Sequence, residues 1–154
     1  MAGKVEARLA ELGITLPAPA AAVANYVPWV ISGNLLFIAG QVTLADGKPQ
    51  FVGQVGRDFT VEDGAKAARL CAINILAQVK AALGDLDLVA RCVKLTGFVN
   101  AGADFKDHPK VVNGASDLML EVFGDKGRHA RAAVGSSSLP LGVAVEVDAI
   151  FQIA

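Results

Sequence analysis

The segment between Thr60 and Gly84 constrains the fold more than any other, because it predicts one long amphipathic helix. Thr60 with Asp63 three residues later resembles a capping box, and Gly84 is typical of the residue that ends a helix. A helix of this length runs about 35 Å, so it can cover one face of a small sheet. Its apolar stripe consists of Val61, Ala65, Ala68, Ala72, Ile75, Leu76, Val79 and Leu83.

Two further helices are predicted, one on each side of this segment. Pro109 suits the first turn of a helix that Gly124 ends. Residues 4–12 have apolar side chains at helical spacing and are followed by Gly13, so they predict a short N-terminal helix. Because two prolines follow within a few residues, that helix cannot continue, and we assign residues 1–16 to an N-terminal helical extension.

Strand patterns fill the rest of the chain. Two apolar runs flank Gly33-Asn34, a dipeptide typical of a tight hairpin turn. Residues 88–101 alternate in polarity and are rich in β-branched side chains, which predicts a strand. The order of helices and strands predicts a single α+β domain over residues 1–154, with two main helices packed on a mostly antiparallel sheet.

A predicted C-terminal hairpin brings charged groups into an apolar strand. Within residues 143–153, Glu146 and Asp148 alternate with valines, so one face of the strand is apolar and the other acidic. A turn at the preceding Leu-Pro-Leu-Gly sequence would pair Gly135 with Glu146 in antiparallel fashion. That register predicts that Arg131 shares a sheet face with both acids.

Two interpretations of Arg131 follow from this arrangement. The first is a cross-strand ion pair with Glu146 or Asp148, an interaction that contributes little to stability. The second is an anchor for a ligand carboxylate, since a guanidinium offers a planar fork that grips such a group. Glu146 would then orient or deprotonate a water molecule. The small residues Ala133 and Gly135 would leave open space beside the arginine.

The composition predicts an oligomer. The chain is 53% hydrophobic and 19% charged, with a mean hydropathy of +0.47. A spanning helix needs about 20 uninterrupted apolar residues, whereas the most apolar stretch contains Asn25, Pro28 and Asn34, so we expect no membrane insertion. A large subunit interface accounts for the apolar surplus, and Tyr26 suits such an interface. The N-terminus has no apolar signal segment, so the cytoplasm is the expected compartment.

Several kinds of site have little support. The net charge of −1 provides no basic surface for nucleic acid. Cys71 and Cys92 lack the spacing of metal ligands and are expected to be buried, and no metal site is predicted. His108 and His129 fall in predicted loops, where we expect them to be solvated. The serines at 136–138 have no nucleophile-elbow pattern, and no phosphate-binding loop occurs.

Two stretches of the sequence resemble the RidA/YjgF family. "NYVPWVISGNLLFIAGQV" resembles the start of the family, with a Tyr-Val pair, a Gly-Asn turn and an Ala-Gly-Gln triplet in place of Ser-Gly-Gln. "ARAAVGSSSLPLGVAVEVDAI" resembles its C-terminal signature, and the similarity covers residues 22–153. The resemblance implies a chorismate-mutase-like fold and a homotrimer with clefts between subunits. It further implies hydrolysis of reactive imines and enamines, such as 2-aminoacrylate, to keto acids and ammonia, without metal or cofactor.

The resemblance also assigns roles to individual residues. Arg131 takes the place of the arginine that holds the substrate carboxylate, and Glu146 that of the glutamate that activates water. Tyr26 corresponds to the tyrosine that lines the cleft, Gly40 to a backbone site and Asn113 to a helix asparagine. The expected ligand is a small 2-imino or 2-keto acid.

The sequence departs from the family at two cleft positions and leaves alternatives open. Ala133 stands where a cysteine is often found, so we expect it to line the substrate site without a reactive thiol, and Ala39 replaces the turn serine. The alternative function is a non-catalytic trimer that binds small carboxylates. Members of this subgroup are also labelled endoribonucleases or translation inhibitors, an activity that the lack of a basic stripe disfavours.

Overall fold

The computed structural model describes residues 3–22 and 24–154. The helices are α1 (Lys4–Glu11), α2 (Val61–Leu83) and α3 (His108–Phe123). The strands are β1 (Trp29–Ser32), β2 (Leu35–Val42), β3 (Leu44–Ala45), β4 (Lys48–Pro49), β5 (Val89–Asn100), β6 (Ala130–Ser136) and β7 (Val145–Ile153). Short 3₁₀ turns occupy Leu86–Leu88, Gly124–Gly127 and Pro140–Gly142. Within the described part of the chain, no helix is long and apolar enough to cross a membrane.

Five strands form one sheet in the order β1-β2-β7-β5-β6, and β3 and β4 form a separate ribbon. Every pairing in the larger sheet is antiparallel except that between β5 and β6. The helices α2 and α3 pack against each other and against one face of this sheet. The predicted α+β fold, with two main helices on a mostly antiparallel sheet, is therefore confirmed.

The ends of α2 follow from local chemistry, as the sequence predicts. The Asp63 amide donates to the Thr60 hydroxyl at 3.1 Å, and the Thr60 amide donates to the Asp63 carboxylate at 3.3 Å. This reciprocal box satisfies amides that have no partner within the helix. Gly84 closes the other end with φ = 78°, a conformation that glycine adopts without steric cost.

The two faces of the sheet differ in what covers them. Leu95, Val147 and Ala149 point toward α2 and α3 and are fully or almost fully buried. The opposite face, which we call the open face, has none of the helices of the described residues packed against it. Its cross-strand rows join β1, β2, β7, β5 and β6, and its members are Val30, Phe37, Ile150, Asp148, Glu146, Thr96, Phe98, Ala132 and Val134.

The predicted C-terminal hairpin is wrong. β6 pairs in parallel with β5, and β7 pairs with the other side of β5, so β6 and β7 are not neighbours. The local turn exists, since Leu141 and Gly142 have positive φ angles of 60° and 70°. However, α3 connects β5 to β6, and a helical crossover of this kind joins parallel strands. The chain then passes β5 to reach the far side.

Helix α1 is held from a distant part of the chain. Its first two amides, those of Lys4 and Val5, donate to the two carboxylate oxygens of Asp87, each at 2.9 Å. These two hydrogen bonds lower the pKa of Asp87. Gly3, the N-cap residue, makes no side-chain cap of its own, so Asp87 supplies the acceptors that the helix end needs.

Replacing Asp87 with Asn should loosen α1. The variant loses the negative charge and offers one acceptor oxygen in place of two, so amides of α1 should exchange hydrogen faster at neutral pH. Because the folded-state pKa of Asp87 is depressed, its stabilisation is present at neutral pH and is lost as the pH falls through that pKa. Hydrogen-exchange mass spectrometry checks both effects. Glu11→Gln, which removes an exposed carboxylate from the same helix, should leave exchange unchanged.

Candidate functional site

Arg131 lies on β6, an edge strand, and points to the side of the sheet that α3 covers. It stands opposite Leu95, and its Nη1 donates to Asn113 Oδ1 at 2.8 Å and to Ser116 Oγ at 3.1 Å. Nη2 lies 3.4 Å from the carbonyl of Pro109. All three acceptors are neutral. Within residues 3–22 and 24–154, no carboxylate lies within 4.0 Å of this guanidinium, so its charge is not paired.

The predicted proximity of Arg131 to Glu146 and Asp148 is also wrong. Arg131 is in register with Leu95 and Ala149 on the helix-covered face, whereas Glu146 and Asp148 lie on the open face. β5 separates the two strands by about 10 Å, and the register adds a further offset of about 10 Å along them. The cross-strand ion pair therefore does not form, and one small ligand cannot touch both Arg131 and Glu146 of the same chain.

Glu146 lies instead in a cleft of about 320 Å³, which we call the Tyr26 cleft. The cleft is lined by Tyr26, Gly40, Asn74, Leu141, Glu146 and residues 20–22, among others. β2 has an irregular register between Ile38 and Gln41, which is where Gly40 lies. A side chain at residue 40 would collide with the Glu146 carboxylate, so the glycine makes room for that group.

The environment of Glu146 makes its carboxyl group a weaker acid. Burial, and then the nearby charge of Asp148, raise the pKa of Glu146 above its ordinary value. Burial also raises the pKa of Asp148, while Thr96 and Lys94 oppose that rise. A carboxyl group with a raised pKa exchanges protons more readily near neutrality, which suits a general acid or base.

A second hollow, of about 440 Å³, lies between the N-terminal segment and α2. Its charged groups, Glu6 and Lys80, form an ion pair with each other, so neither is free to bind a ligand. The Tyr26 cleft, in contrast, contains a carboxylate with no ion-pair partner among the described residues.

The predicted site residues thus fall into two groups. Tyr26, Gly40 and Glu146 line one cleft. Arg131 contacts Asn113 at the β6 edge of the sheet, away from that cleft. Ala133 lies beside Arg131 on the same strand face, opposite Gly97. The expected open space along that face is partly filled, because the His108 ring lies 2.7 Å from the point where a Gly135 side chain would begin.

Sequence reasoning missed two residues of this region. His129 was expected to be solvated, but it is half-buried and has hydrogen-bond partners on both ring nitrogens, Ser116 Oγ at 2.8 Å and the Gly127 carbonyl at 2.6 Å. Ser116 is a buried residue of α3. No sequence pattern pointed to the pair, because the contact depends on where the crossover helix places its side chains relative to β6.

Both cysteines are buried, as expected. The Cys71 thiol donates to the Val145 carbonyl at 3.4 Å, and burial raises the pKa of both Cys71 and Cys92. Neither thiol ionises at neutral pH, so neither is a reactive nucleophile in the fold.

Comparison with known proteins bears on the same regions. Residues 6–151 match the family described as "YjgF/chorismate_mutase-like, putative endoribonuclease". Protein TCP17 of Trypanosoma cruzi is 51% identical over 152 residues, which cover 98% of this chain and 95% of that protein. A crystal structure of a protein of unknown function from Agrobacterium tumefaciens has 53% identity and a TM-score of 0.92, covering 98% of this chain and 93% of that one.

A further solved structure contains a small ligand. TdcF from E. coli, crystallised with bound serine, is 26% identical with a TM-score of 0.66, and the alignment covers 92% of this chain and 97% of that one. These similarities extend over nearly the whole chain, including the strands that carry Arg131 and Glu146. The chain is therefore a member of the YjgF/chorismate-mutase-like family.

Proposed function

We propose that this protein hydrolyses small 2-imino and 2-enamino acids to 2-keto acids and ammonia, in clefts shared between the subunits of a homotrimer. Arg131 and Asn113 of one subunit bind the carboxylate of the substrate. Glu146 of the neighbouring subunit accepts a proton from the attacking water. Tyr26 and the backbone at Gly40 line the cleft around Glu146.

The observation that carries the proposal is the unpaired charge of Arg131. Its guanidinium is held by Asn113, Ser116 and Pro109, all neutral acceptors, while Nε and one Nη2 hydrogen have no acceptor among the described residues. A fixed fork with two free N–H groups is complementary to a carboxylate. A positive charge that served only stability would be expected to have an acidic partner.

The open face supports the shared site. No helix of the described part of the chain covers it, and Val30, Phe37 and Val134 are 50%, 39% and 43% exposed there. An apolar sheet face of this kind calls for a partner, and a second copy of the chain supplies one. Because Arg131 and Glu146 are remote within one subunit, a ring of subunits is the arrangement that lets one ligand meet both.

The chemistry needs only these groups and water. Water adds to the C=N carbon of the bound imine, its proton passes to the Glu146 carboxylate, and that carboxyl protonates the nitrogen. The resulting carbinolamine then collapses: its hydroxyl proton moves to the nitrogen, the C–N bond breaks, and the keto acid and ammonia leave. The raised pKa of Glu146 brings it closer to neutrality, where one group takes and returns a proton efficiently.

A carboxylate-binding trimer without catalysis is the alternative. A relative crystallised with bound serine supports a small ligand that carries a carboxylate, and it does so equally for an enzyme and for a binding protein. Both functions require Arg131. Only the hydrolase requires Glu146, so this residue distinguishes the two.

The first test is imine turnover by wild type and Glu146→Gln. An amino-acid oxidase generates a panel of 2-imino acids, and semicarbazide traps the imine that remains. We expect wild type to accelerate imine loss and Glu146→Gln to lower kcat by about 100-fold or more, since general acid–base catalysis contributes that much. Binding of 2-oxobutyrate, measured by calorimetry, should stay within a few-fold of wild type.

Two controls accompany this test. Asp148→Asn removes an acid from the same strand face and should lower kcat by less than about tenfold. Glu146→Gln should be at least as stable as wild type at neutral pH, because the fold disfavours the ionised carboxylate, and this difference should vanish at low pH. Equal loss of binding and turnover in Glu146→Gln would contradict the assigned role. Binding of 2-oxobutyrate without turnover of any imine would establish the alternative.

A further inference from the structure

We infer that Ser116 and His129 are positioning residues that orient the Arg131 guanidinium for a ligand carboxylate while leaving its charge unneutralised. The inference rests on the proposed function of Arg131 and adds residues that the family resemblance did not assign. It is carried by a chain of hydrogen bonds that runs from Arg131 through Ser116 and His129 to the backbone of Gly127.

The two ends of this chain have a hydrogen-bond direction that follows from chemistry, because a carbonyl only accepts and a guanidinium only donates. The Gly127 carbonyl only accepts, so His129 Nδ1 carries a proton and donates to it at 2.6 Å. When Nδ1 carries the only ring proton, Nε2 is an acceptor and the Ser116 hydroxyl donates to it at 2.8 Å. The Ser116 oxygen is then left with its lone pairs, and it accepts from Arg131 Nη1 at 3.1 Å.

The far end of the chain is anchored by close packing. Gly127 is buried against α3, and a Cβ there would come within 2.5 Å of the Met119 carbonyl carbon and 2.9 Å of the Leu120 nitrogen. The 3₁₀ turn that presents the Gly127 carbonyl therefore cannot shift toward the helix. Because Ser116 also belongs to α3, both supports of the chain move as one unit.

Neutral partners matter for the ligand. Asn113 and Ser116 both accept from Nη1, which restrains the guanidinium and leaves Nε and one Nη2 hydrogen for a carboxylate. An acidic residue in place of His129 or Ser116 would hold the side chain as well but would compete with the ligand for its charge. Ser116, hydrogen-bonded to His129, orients the arginine without that competition. The arginine is therefore preorganised for its ligand, as binding sites require.

The test that does not depend on activity is NMR of the guanidinium group. In wild type, Nη1 and Nη2 of Arg131 should give separate ¹⁵N signals, assigned by their absence in Arg131→Lys, because rotation about the Cζ–N bonds is restricted. His129→Phe and Ser116→Ala should average these signals. His129→Gln, which retains an acceptor, and Ser116→Thr, which retains the hydroxyl, should keep them separate. Averaged signals already in wild type, or separate signals in His129→Phe, would overturn the inference.

Kinetics provide the second arm. His129→Phe and Ser116→Ala should raise KM for 2-imino acids by about tenfold with kcat nearly unchanged, since the carboxylate interaction is equal in ground and transition states. The Gln and Thr variants should restore KM. If the NMR result holds but wild type neither binds 2-oxobutyrate nor turns over imines, the proposed function fails and the positioning of Arg131 stands. If KM does not change although the signals average, the positioning has no role in binding and the inference fails.

Discussion

Two inactive variants, Arg131→Ala and Glu146→Gln, should restore imine turnover when they assemble together. Each alone should lose roughly two orders of magnitude or more in kcat/KM, because one lacks the proposed carboxylate anchor and the other the proposed general base. In a ring of three subunits that contains both variants, about one cleft in three joins an intact Arg131 to an intact Glu146. Activity of such mixed trimers should therefore return to about a third of wild type.

The expectation follows from the sheet. Arg131 and Glu146 lie on opposite faces and are separated by β5, so a site that uses both must draw them from different chains. Complementation requires this sharing: if both residues served one cleft from the same chain, every cleft in a mixed ring would lack one of them.

Co-expression with two different affinity tags and purification through both isolates the mixed assemblies. The background activity is measured on Arg131→Ala alone, co-expressed in two versions that carry the two tags and purified in the same way. Sedimentation equilibrium measures the number of subunits in the ring. Mixed assemblies that are no more active than this background would contradict the shared cleft. The role of each residue would still be decided by the turnover of the single variants.

The largest effect on stability is expected at Gly114, where α3 crosses α2. A Cβ at this residue would overlap the Ala65 carbonyl oxygen and would lie 2.7 Å from its carbonyl carbon and 3.0 Å from its Cα. These atoms belong to the backbone of α2, so no side chain can rotate away to make space. Gly114→Ala must therefore separate the two helices or bend one of them.

The expected change in stability has the opposite sign to that of a glycine-to-alanine substitution at an exposed helix position. Alanine in place of an exposed helical glycine stabilises by about 1 kcal/mol, because glycine has the poorer helix propensity. At Gly114 we expect a net loss of about 2 kcal/mol or more, since overpacking against a backbone exceeds that gain. For a chain of this size the loss lowers Tm by about 4–8 °C, measured by calorimetry at one protein concentration.

Gly102→Ala is the matched control. Apart from its two chain neighbours, no described residue has a heavy atom within 4 Å of a Cβ at residue 102. Because its φ is not in the left-handed region either, we expect a change within about 0.5 kcal/mol. A Gly114→Ala protein as stable as wild type would mean that the helices separate at little cost and that their close crossing contributes little to stability.

The sequence predicted those features that short stretches of chain determine by themselves. The ends of α2 were predicted from Thr60, Asp63 and Gly84, because capping hydrogen bonds and a positive φ involve residues three or four apart. The burial of Cys71 was predicted from its place in an apolar helix. The fold class followed from the order of such elements, since each apolar face needs another to cover it.

The C-terminal hairpin shows where local patterns stop being sufficient. The Leu-Pro-Leu-Gly sequence does form a turn, as predicted, but the turn alone does not determine which strands pair in the sheet. Whether β6 pairs with β7 or with β5 depends on α3, which returns the chain parallel to β5 and leaves β7 to pair on the other side. Placing Arg131 and Glu146 on one face was an error of strand pairing.

The sequence by itself determined where the three helices and the five strands of the larger sheet lie, which side chains are apolar, and which charged groups stand out within apolar strands. Only the tertiary structure decided that Arg131 and Glu146 face opposite sides of the sheet, that His129 lies beside Ser116, and that Gly114 contacts the backbone of α2. The physical reason is the range of the interactions. Capping, turn formation and amphipathic periodicity act within a few residues, whereas strand pairing and helix crossing join residues far apart in the chain.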